Sequence, residues 1–209
     1  MKLINESVLK RQPQMPKTKA AWILEVEQEE RIENQVNQVL KKYKMNGTVT
    51  ELTIMYRLKL ITSLMGDVKG KTVLDIGCGA KQSWDYDLCK IGKERRYYDP
   101  WLCRVLQFFG AKTFGIDGGE SPNESYTHIQ GHLYRFSEHT ERFPNHSLDL
   151  ACAWGLFDSP SLGIRRELFD TIVTRLEVKL KPEGFFVFDA SGTGLYSKKD
   201  WQAYLRARK

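Results

Sequence analysis

Apolar residues in the first third of the chain follow a helical period. Between about residues 20 and 44 they recur at intervals of three and four, which places them on one face of a helix. These residues are Ile32, Val36, Val39, Leu40 and Tyr43. A second helical pattern follows the Gly47 break and runs to about residue 64. Residues 1–18 contain two prolines and predict an irregular lead-in.

Beyond residue 66 short apolar runs alternate with helical patterns. The runs that predict strands are KTVLDIG, KTFGID, YTHIQG, SLDLACAWGLF and GFFVFDA. Helical patterns cover DPWLCRVLQFFG, about residues 163–180, and SKKDWQAYLRARK at the end. Strands that alternate with helices favour a parallel sheet covered on both faces. We therefore predict an α/β fold: a Rossmann-like, doubly wound, mostly parallel sheet of about five strands, in a domain over 67–209 with a helical extension over 1–66.

No closing β-hairpin is evident after the fifth strand, since only a helical pattern follows it. The fifth strand would then be an exposed apolar edge, and such edges are normally covered or paired. We expect the N-terminal segment to cover it, or a second subunit to do so in a homodimer.

Composition and charge narrow the class of protein. The chain has 209 residues and a net charge of +6, but residues 1–20 and 198–209 each carry +4, so the remainder carries −2. There is no long apolar run and no apolar signal region, so we expect a cytoplasmic protein without a membrane span. The four cysteines form no CxxC pair and the four histidines are scattered, so we expect reduced thiols and no metal.

The segment VLDIGCG at the end of the first long strand is the strongest chemical signal. Gly77 and Gly79 allow a tight turn and a close approach of ligand to backbone. In an open parallel sheet, ligands bind at the carboxyl ends of the strands, where this turn would lie. A dinucleotide fingerprint would need a small residue at position 82, where the chain has Gln82, so a nicotinamide-dependent oxidoreductase is disfavoured.

This turn resembles motif I of the class I, Rossmann-like S-adenosylmethionine-dependent methyltransferases. FGID ending at Asp117, FPNHSLDLACAWGLFDS and LKPEGFFVFD resemble further motifs of that family in the family's order. The resemblance covers about residues 50–205 and implies S-adenosylmethionine as the cofactor. It assigns the cofactor site to the following residues: Asp75, Gly77, Cys78, Gly79, Asp117, Gly118, His132, Ala153 and Trp154. Asp117 would accept both ribose hydroxyls, and Ala153 and Trp154 would lie near the methionine end or the substrate.

Two departures from the family pattern matter. His132 stands where the family commonly has an aspartate that holds the adenine amino group, a role that only a neutral imidazole could take over. Residues 80–98 separate the glycine turn from its helix as an insertion, rich in aromatic and basic residues, that could form a lid or a substrate wall.

The sequence does not name the methyl acceptor. The absence of an NPPY-like motif at AWGLFDSP argues against adenine or exocyclic amine acceptors. We expect a methyltransferase acting on a small molecule, with Asp158, His132 and His139 as weak candidates for a catalytic base. An RNA-acting enzyme that uses the basic ends, or a non-catalytic module that binds the cofactor, are the alternatives.

Overall fold

The computed structural model describes residues 1–5, 19–43, 51–80, 99–157 and 166–189. Its helices and strands, in chain order, are β1 (Lys2–Asn5), α1 (Lys19–Tyr43), α2 (Glu51–Met65), β2 (Thr72–Ile76), α3 (Trp101–Phe108), β3 (Lys112–Asp117), β4 (Thr127–Gln130), α4 (Phe136–Thr140), β5 (Leu148–Ala153), α5 (Arg166–Lys179) and β6 (Leu180–Phe188). The insertion predicted at 80–98, beyond its first residue, and the predicted C-terminal helix lie outside the described residues. Among the described helices, none is long and apolar enough to cross a membrane.

The described strands form one sheet in the order β1-β6-β5-β2-β3-β4, and every neighbouring pair is parallel. After β1 at one edge of the sheet, the chain passes to β2 near the middle, winds outwards through β3 and β4, and returns to the other side of β2 for β5 and β6. This is the doubly wound arrangement, whose winding reverses beside β2. The predicted α/β, Rossmann-like fold is confirmed.

The prediction of an irregular lead-in was wrong for the first residues of the chain. Leu3 and Ile4 lie opposite Phe186 and Val187 in a parallel pairing of β1 with β6. The N-terminal ammonium also donates a hydrogen bond to the carbonyl oxygen of Pro182 at 2.9 Å. The N-terminal segment therefore covers the edge of β6, which was the first of the two alternatives predicted from the sequence. The second alternative was a homodimer that pairs through the same edge, which β1 occupies. The strand β1 also makes the sheet six-stranded instead of five-stranded.

Helices cover both faces of the sheet, which separates two apolar clusters. Leu74 and Ile76 of β2 face a cluster that includes the apolar side of α5, whereas Val73 faces a cluster built with α1, α2 and α3. Alternate residues of a strand point to opposite faces, so β2 contributes to both. The N-terminal helices α1 and α2 therefore share a core with the sheet, and this packing brings α2 towards the loops at the carboxyl ends of the strands.

Candidate active site

A tight turn follows β2 at the point where the winding of the sheet reverses. Gly77 adopts a positive φ of 71°, and the N–H groups of Gly77 and Cys78 both donate to the carbonyl oxygen of Ile116, at 2.8 and 3.2 Å. A Cβ atom at Gly77 would lie 2.8 Å from Cδ1 of Leu156. The turn thus favours glycine because of its backbone conformation, and a Cβ atom there would also require the side chain of Leu156 to shift.

The carboxylate of Asp117 joins this turn to the end of β3. Its Oδ2 accepts the N–H of Gly79 at 3.0 Å, and its Oδ1 accepts the N–H of Gly119 at 2.9 Å. The glycine turn and Asp117 therefore lie in contact, as the sequence predicted. Each carboxylate oxygen can accept more than one hydrogen bond, so both keep capacity for a hydroxyl group of a ligand.

Asp75 lies within β2 itself, next to the turn and opposite Gly115 and Cys152 of the neighbouring strands. Its side chain is only 5% exposed. Burial raises the pKa of Asp75 from 3.8 to about 7, although a Cys103 hydrogen bond and the Arg57 charge lower it and the Asp117 charge adds to the rise. The site therefore holds a carboxyl group that is poorly solvated and would be stabilised as an anion by a cationic ligand group.

Two cysteine sulfurs fill the space between Asp75 and the turn. A Cβ atom at Gly115 would lie 2.6 Å from Sγ of Cys78 and 2.9 Å from Sγ of Cys103, so only glycine fits there. Cys103 donates its S–H to Oδ2 of Asp75 at 3.8 Å. Both thiols are free and buried, and burial raises the pKa of both, which keeps them protonated.

His128, which sequence reasoning did not select, holds the loop after Asp117. Its Nε2 lies 2.8 Å from the carbonyl oxygen of Gly119, and its Nδ1 lies 3.3 Å from the hydroxyl of Tyr126. Because a carbonyl oxygen can only accept, Nε2 donates its proton to Gly119. The ring therefore fixes Gly119, whose N–H in turn orients Asp117.

Aromatic and cationic side chains form the wall on the side of α2 and α3. The indole rings of Trp101 and Trp154 stack with centroids 6.3 Å apart. The guanidinium carbon of Arg57 lies 4.9 Å from the ring centre of Trp154 and 5.9 Å from that of Trp101. The indole Nε1 of Trp154 is buried and has no hydrogen-bond partner within the described part of the chain. Arg57 was not selected from the sequence, since a single arginine in a helical pattern carries no signal.

The other predicted residues lie at or near the same edge of the sheet, with different surroundings. His132 follows β4, and its Nδ1 accepts the N–H of Tyr134 at 3.5 Å. In a neutral ring this leaves the proton on Nε2, which donates rather than accepts. Gly118 follows Asp117 in an open position, where a Cβ would meet no atom within 4 Å. Ala153 is fully buried in the cluster on the α5 face, so its methyl group packs into the core.

The base candidates receive little support from the structure. The ring of His139 packs against Gly131, where a Cβ would lie 2.1 Å from two of its atoms, so this histidine has a packing role. Asp158 lies outside the described residues. Most of residues 1–20 and all of residues 198–209, the two basic ends of the chain, also lie outside them. Within the described ranges no three histidine, cysteine, aspartate or glutamate side chains are grouped to hold a metal ion.

No family model matches the sequence, and no curated protein matches it. Two solved structures that are similar to this chain are both of the MycE methyltransferase from the mycinamycin biosynthetic pathway. One, in complex with Mg, SAH and mycinamycin VI, is 17% identical with a TM-score of 0.45 over 81% of this chain and 43% of that chain. The other, in complex with Mg and SAH, is 16% identical with a TM-score of 0.49 over 83% and 44%. This chain thus spans less than half the length of those proteins.

Proposed function

We propose that this protein is an S-adenosylmethionine-dependent methyltransferase that acts on a small molecule. The observation that carries the proposal is the hydrogen bond from Gly79 N–H to the carboxylate of Asp117, which joins the glycine turn and the acid at the carboxyl ends of β2 and β3. Ligands of doubly wound sheets bind in this crevice, beside the point where the winding reverses.

The residues present fit the cofactor. The turn at Gly77 and Gly79 has no side chain to block a ligand, and Asp117 offers carboxylate oxygens that suit the two vicinal hydroxyls of a ribose. The buried and unpartnered N–H of Trp154 indicates a site that lacks a hydrogen-bond acceptor. Buried donors are normally satisfied, and a polar ligand would satisfy this one.

The bound cofactor would supply an electrophilic methyl group on a sulfonium, so the protein's task is to align the acceptor and to exclude water. Asp117 would hold the ribose and fix the position of the nucleoside. The side chain of Leu156 packs against Gly77 and would border the cofactor at the turn. The Nε2 proton of His132 would serve as a donor to a ring nitrogen of adenine, which differs from the acceptor role predicted from the sequence.

Calorimetric titration with S-adenosylhomocysteine tests the proposal directly. We expect saturable binding with one site per chain, and a loss of about tenfold or more in affinity for Asp117→Asn, because a charge-assisted hydrogen bond becomes a neutral one. Asp67→Asn is the matched control, since Asp67 is exposed and accepts only a local backbone N–H. Its affinity should equal that of the wild type.

Transfer of a labelled methyl group to a panel of metabolites and RNAs then separates the remaining alternatives. Incorporation into a metabolite fraction supports the proposal, whereas incorporation into RNA with steep salt dependence supports the RNA-acting alternative. Tight cofactor binding without transfer to any acceptor supports the non-catalytic module. Binding of NAD in place of S-adenosylhomocysteine would overturn the cofactor assignment.

A further inference from the structure

Two separate bridges join the glycine turn to the loop that follows β3. Asp117 forms the first, since its carboxylate accepts the N–H of Gly79 on one side and the N–H of Gly119 on the other. His128 forms the second. Its Nε2 lies 2.8 Å from the carbonyl oxygen of Gly119, and its Nδ1 lies 3.9 Å from Sγ of Cys78 in the turn. The same two segments are therefore held together twice, once by a carboxylate and once by an imidazole.

The register of the sheet explains how His128 reaches the turn. His128 of β4 lies opposite Gly115 of β3, and Gly115 lies opposite Asp75 of β2. Because Gly115 has no side chain, the sulfur of Cys78 occupies the space beside it, where a Cβ atom would lie only 2.6 Å away. The missing side chain at position 115 therefore lets the glycine turn approach the imidazole across β3.

Neighbouring groups hold both the ring of His128 and the loop that it contacts. The hydroxyl of the buried Tyr126 lies 3.3 Å from Nδ1 of His128. A hydroxyl can donate or accept a hydrogen bond, so this contact persists in either protonation state of the imidazole. The far end of the loop is fixed independently, because Arg104 of α3 donates two hydrogen bonds to Glu124. The loop over 118–126 is thus anchored at both ends, and His128 anchors the end beside Asp117.

We propose that His128 is a positioning residue that sets the carboxylate of Asp117 for the ribose hydroxyls of the cofactor. The imidazole holds Gly119, and the N–H of Gly119 holds Oδ1 of Asp117. Hydrogen bonds weaken steeply as their angles depart from the ideal, so a displaced carboxylate binds a vicinal diol less well. The assignment rests on the proposed function, and His128 acts in it through Asp117 and not by contact with the ligand.

A purely structural role for His128 leads to different expectations. A half-buried histidine that only satisfied a backbone carbonyl would stabilise the fold, and its loss would weaken every ligand of the site to the same extent. A positioning role concerns the ribose hydroxyls alone, and it requires the carboxylate of Asp117. Selectivity for the hydroxyls and dependence on Asp117 therefore distinguish the two roles.

Two substitutions of similar size separate the hydrogen bond from the volume of the side chain. His128→Leu removes both ring nitrogens. His128→Gln places an amide N–H close to the position of Nε2, so this variant can still donate to Gly119. Thr127→Val is the control, because Thr127 is exposed on the same strand and points to the opposite face of the sheet.

Adenosine and 2′,3′-dideoxyadenosine differ only in the two ribose hydroxyls, and the ratio of their dissociation constants measures how well the hydroxyls are bound. By calorimetry we expect His128→Leu to reduce this preference for adenosine about three- to tenfold, with dideoxyadenosine changed by less than about twofold. His128→Gln should restore the ratio to within about twofold of the wild type. Thr127→Val should leave the ratio unchanged.

A double-substitution cycle with S-adenosylhomocysteine tests the dependence on Asp117. In the wild-type background His128→Leu should weaken binding of S-adenosylhomocysteine about three- to tenfold. In the Asp117→Asn background the same substitution should change the affinity by less than about twofold, because the carboxylate that His128 positions is already absent.

Equal losses for adenosine and dideoxyadenosine, or an equal effect of His128→Leu in both backgrounds, would overturn the positioning role. If His128→Leu does not fold, Tyr126→Phe removes the hydroxyl beside Nδ1 and should reduce the same ratio about two- to threefold, and an unchanged ratio would then overturn the role. A wild-type protein that does not bind S-adenosylhomocysteine refutes the proposed function. A wild-type protein that binds it, with a His128→Leu variant that binds both nucleosides as the wild type does, refutes the positioning role alone.

Discussion

Asp75 should make the stability of this protein fall as the pH rises. The carboxyl is buried, and its pKa in the folded chain is about 7, compared with 3.8 for an unperturbed group. Between about pH 4 and pH 7 the folded state therefore keeps a proton that the unfolded state has released. By linkage, the free energy of unfolding decreases across this interval and becomes constant above it. At about 1.4 kcal/mol per pKa unit, the full effect above pH 8 is about 4 kcal/mol.

The substitution Asp75→Asn removes the titration and keeps the shape of the side chain. Urea unfolding of both proteins at several pH values gives the difference in free energy of unfolding, variant minus wild type. We expect this difference to become more favourable to the variant by about 2–3 kcal/mol between pH 5 and pH 8. The constant cost of a buried amide cancels in this comparison, because it is the same at both pH values.

The exposed Asp67→Asn should show no change of this kind between the two pH values. A difference between Asp75→Asn and wild type that is independent of pH would show that the carboxyl is already ionised in the folded state at pH 5. The reasoning from burial would then be refuted, and Arg57 together with Cys103 would be the groups that compensate the charge.

Further predictions concern buried groups elsewhere in the molecule. Asp149 titrates in the opposite sense. Burial acts to raise its pKa, but hydrogen bonds from a lysine and a backbone N–H outweigh burial and lower the pKa. The ionised Asp149 therefore stabilises the folded state above the unfolded pKa, and this stabilisation is lost on acidification. Asp149→Asn should therefore cost about 1–3 kcal/mol in urea unfolding at pH 7 and less at pH 3. Glu124→Ala, which removes the bidentate partner of the buried Arg104 and leaves Asp99 bound to it, should cost about 2–4 kcal/mol in urea unfolding, whereas Glu138→Ala, in an exposed ion pair, should cost far less; equal costs would contradict this. Gly115→Ala should destabilise the fold by about 1–3 kcal/mol because its Cβ meets two sulfurs, whereas Gly118→Ala, at an open position, should be close to neutral.

Much of the fold could be predicted from sequence because its signals are local. Apolar runs and helical periods predicted the strands β2 to β6 and the helices α1, α2 and α5 near their observed places. The strand β1 has only four residues, which are too few for a strand period to be recognised in the sequence. It is stabilised by its pairing with the edge of β6, and this pairing joins residues far apart in the chain. The sequence predicted that this edge would be covered, but it contained no signal for the register.

The start of α3 shows how tertiary contacts override a local signal. Asp99 followed by Pro100 is a favourable sequence for the N-terminus of a helix. In the structure Pro100 occupies the cap position with no side-chain cap, and the carboxylate of Asp99 accepts from Nη1 of Arg104 at 3.0 Å. Arg104 also binds Glu124. The carboxylate of Asp99 therefore takes part in a buried charge network and does not cap the helix, as the local sequence would favour.

The sequence by itself determined the alternation of strands and helices, the glycine turn and the acid at Asp117, because each depends on residues close together in the chain. Only the tertiary structure decided which side chains surround that turn. Arg57, Cys103 and His128 reach it from different helices and strands, through packing and hydrogen bonds between residues far apart in sequence. No local period encodes such contacts, since they arise when the two faces of the sheet are covered and the carboxyl ends of its strands meet.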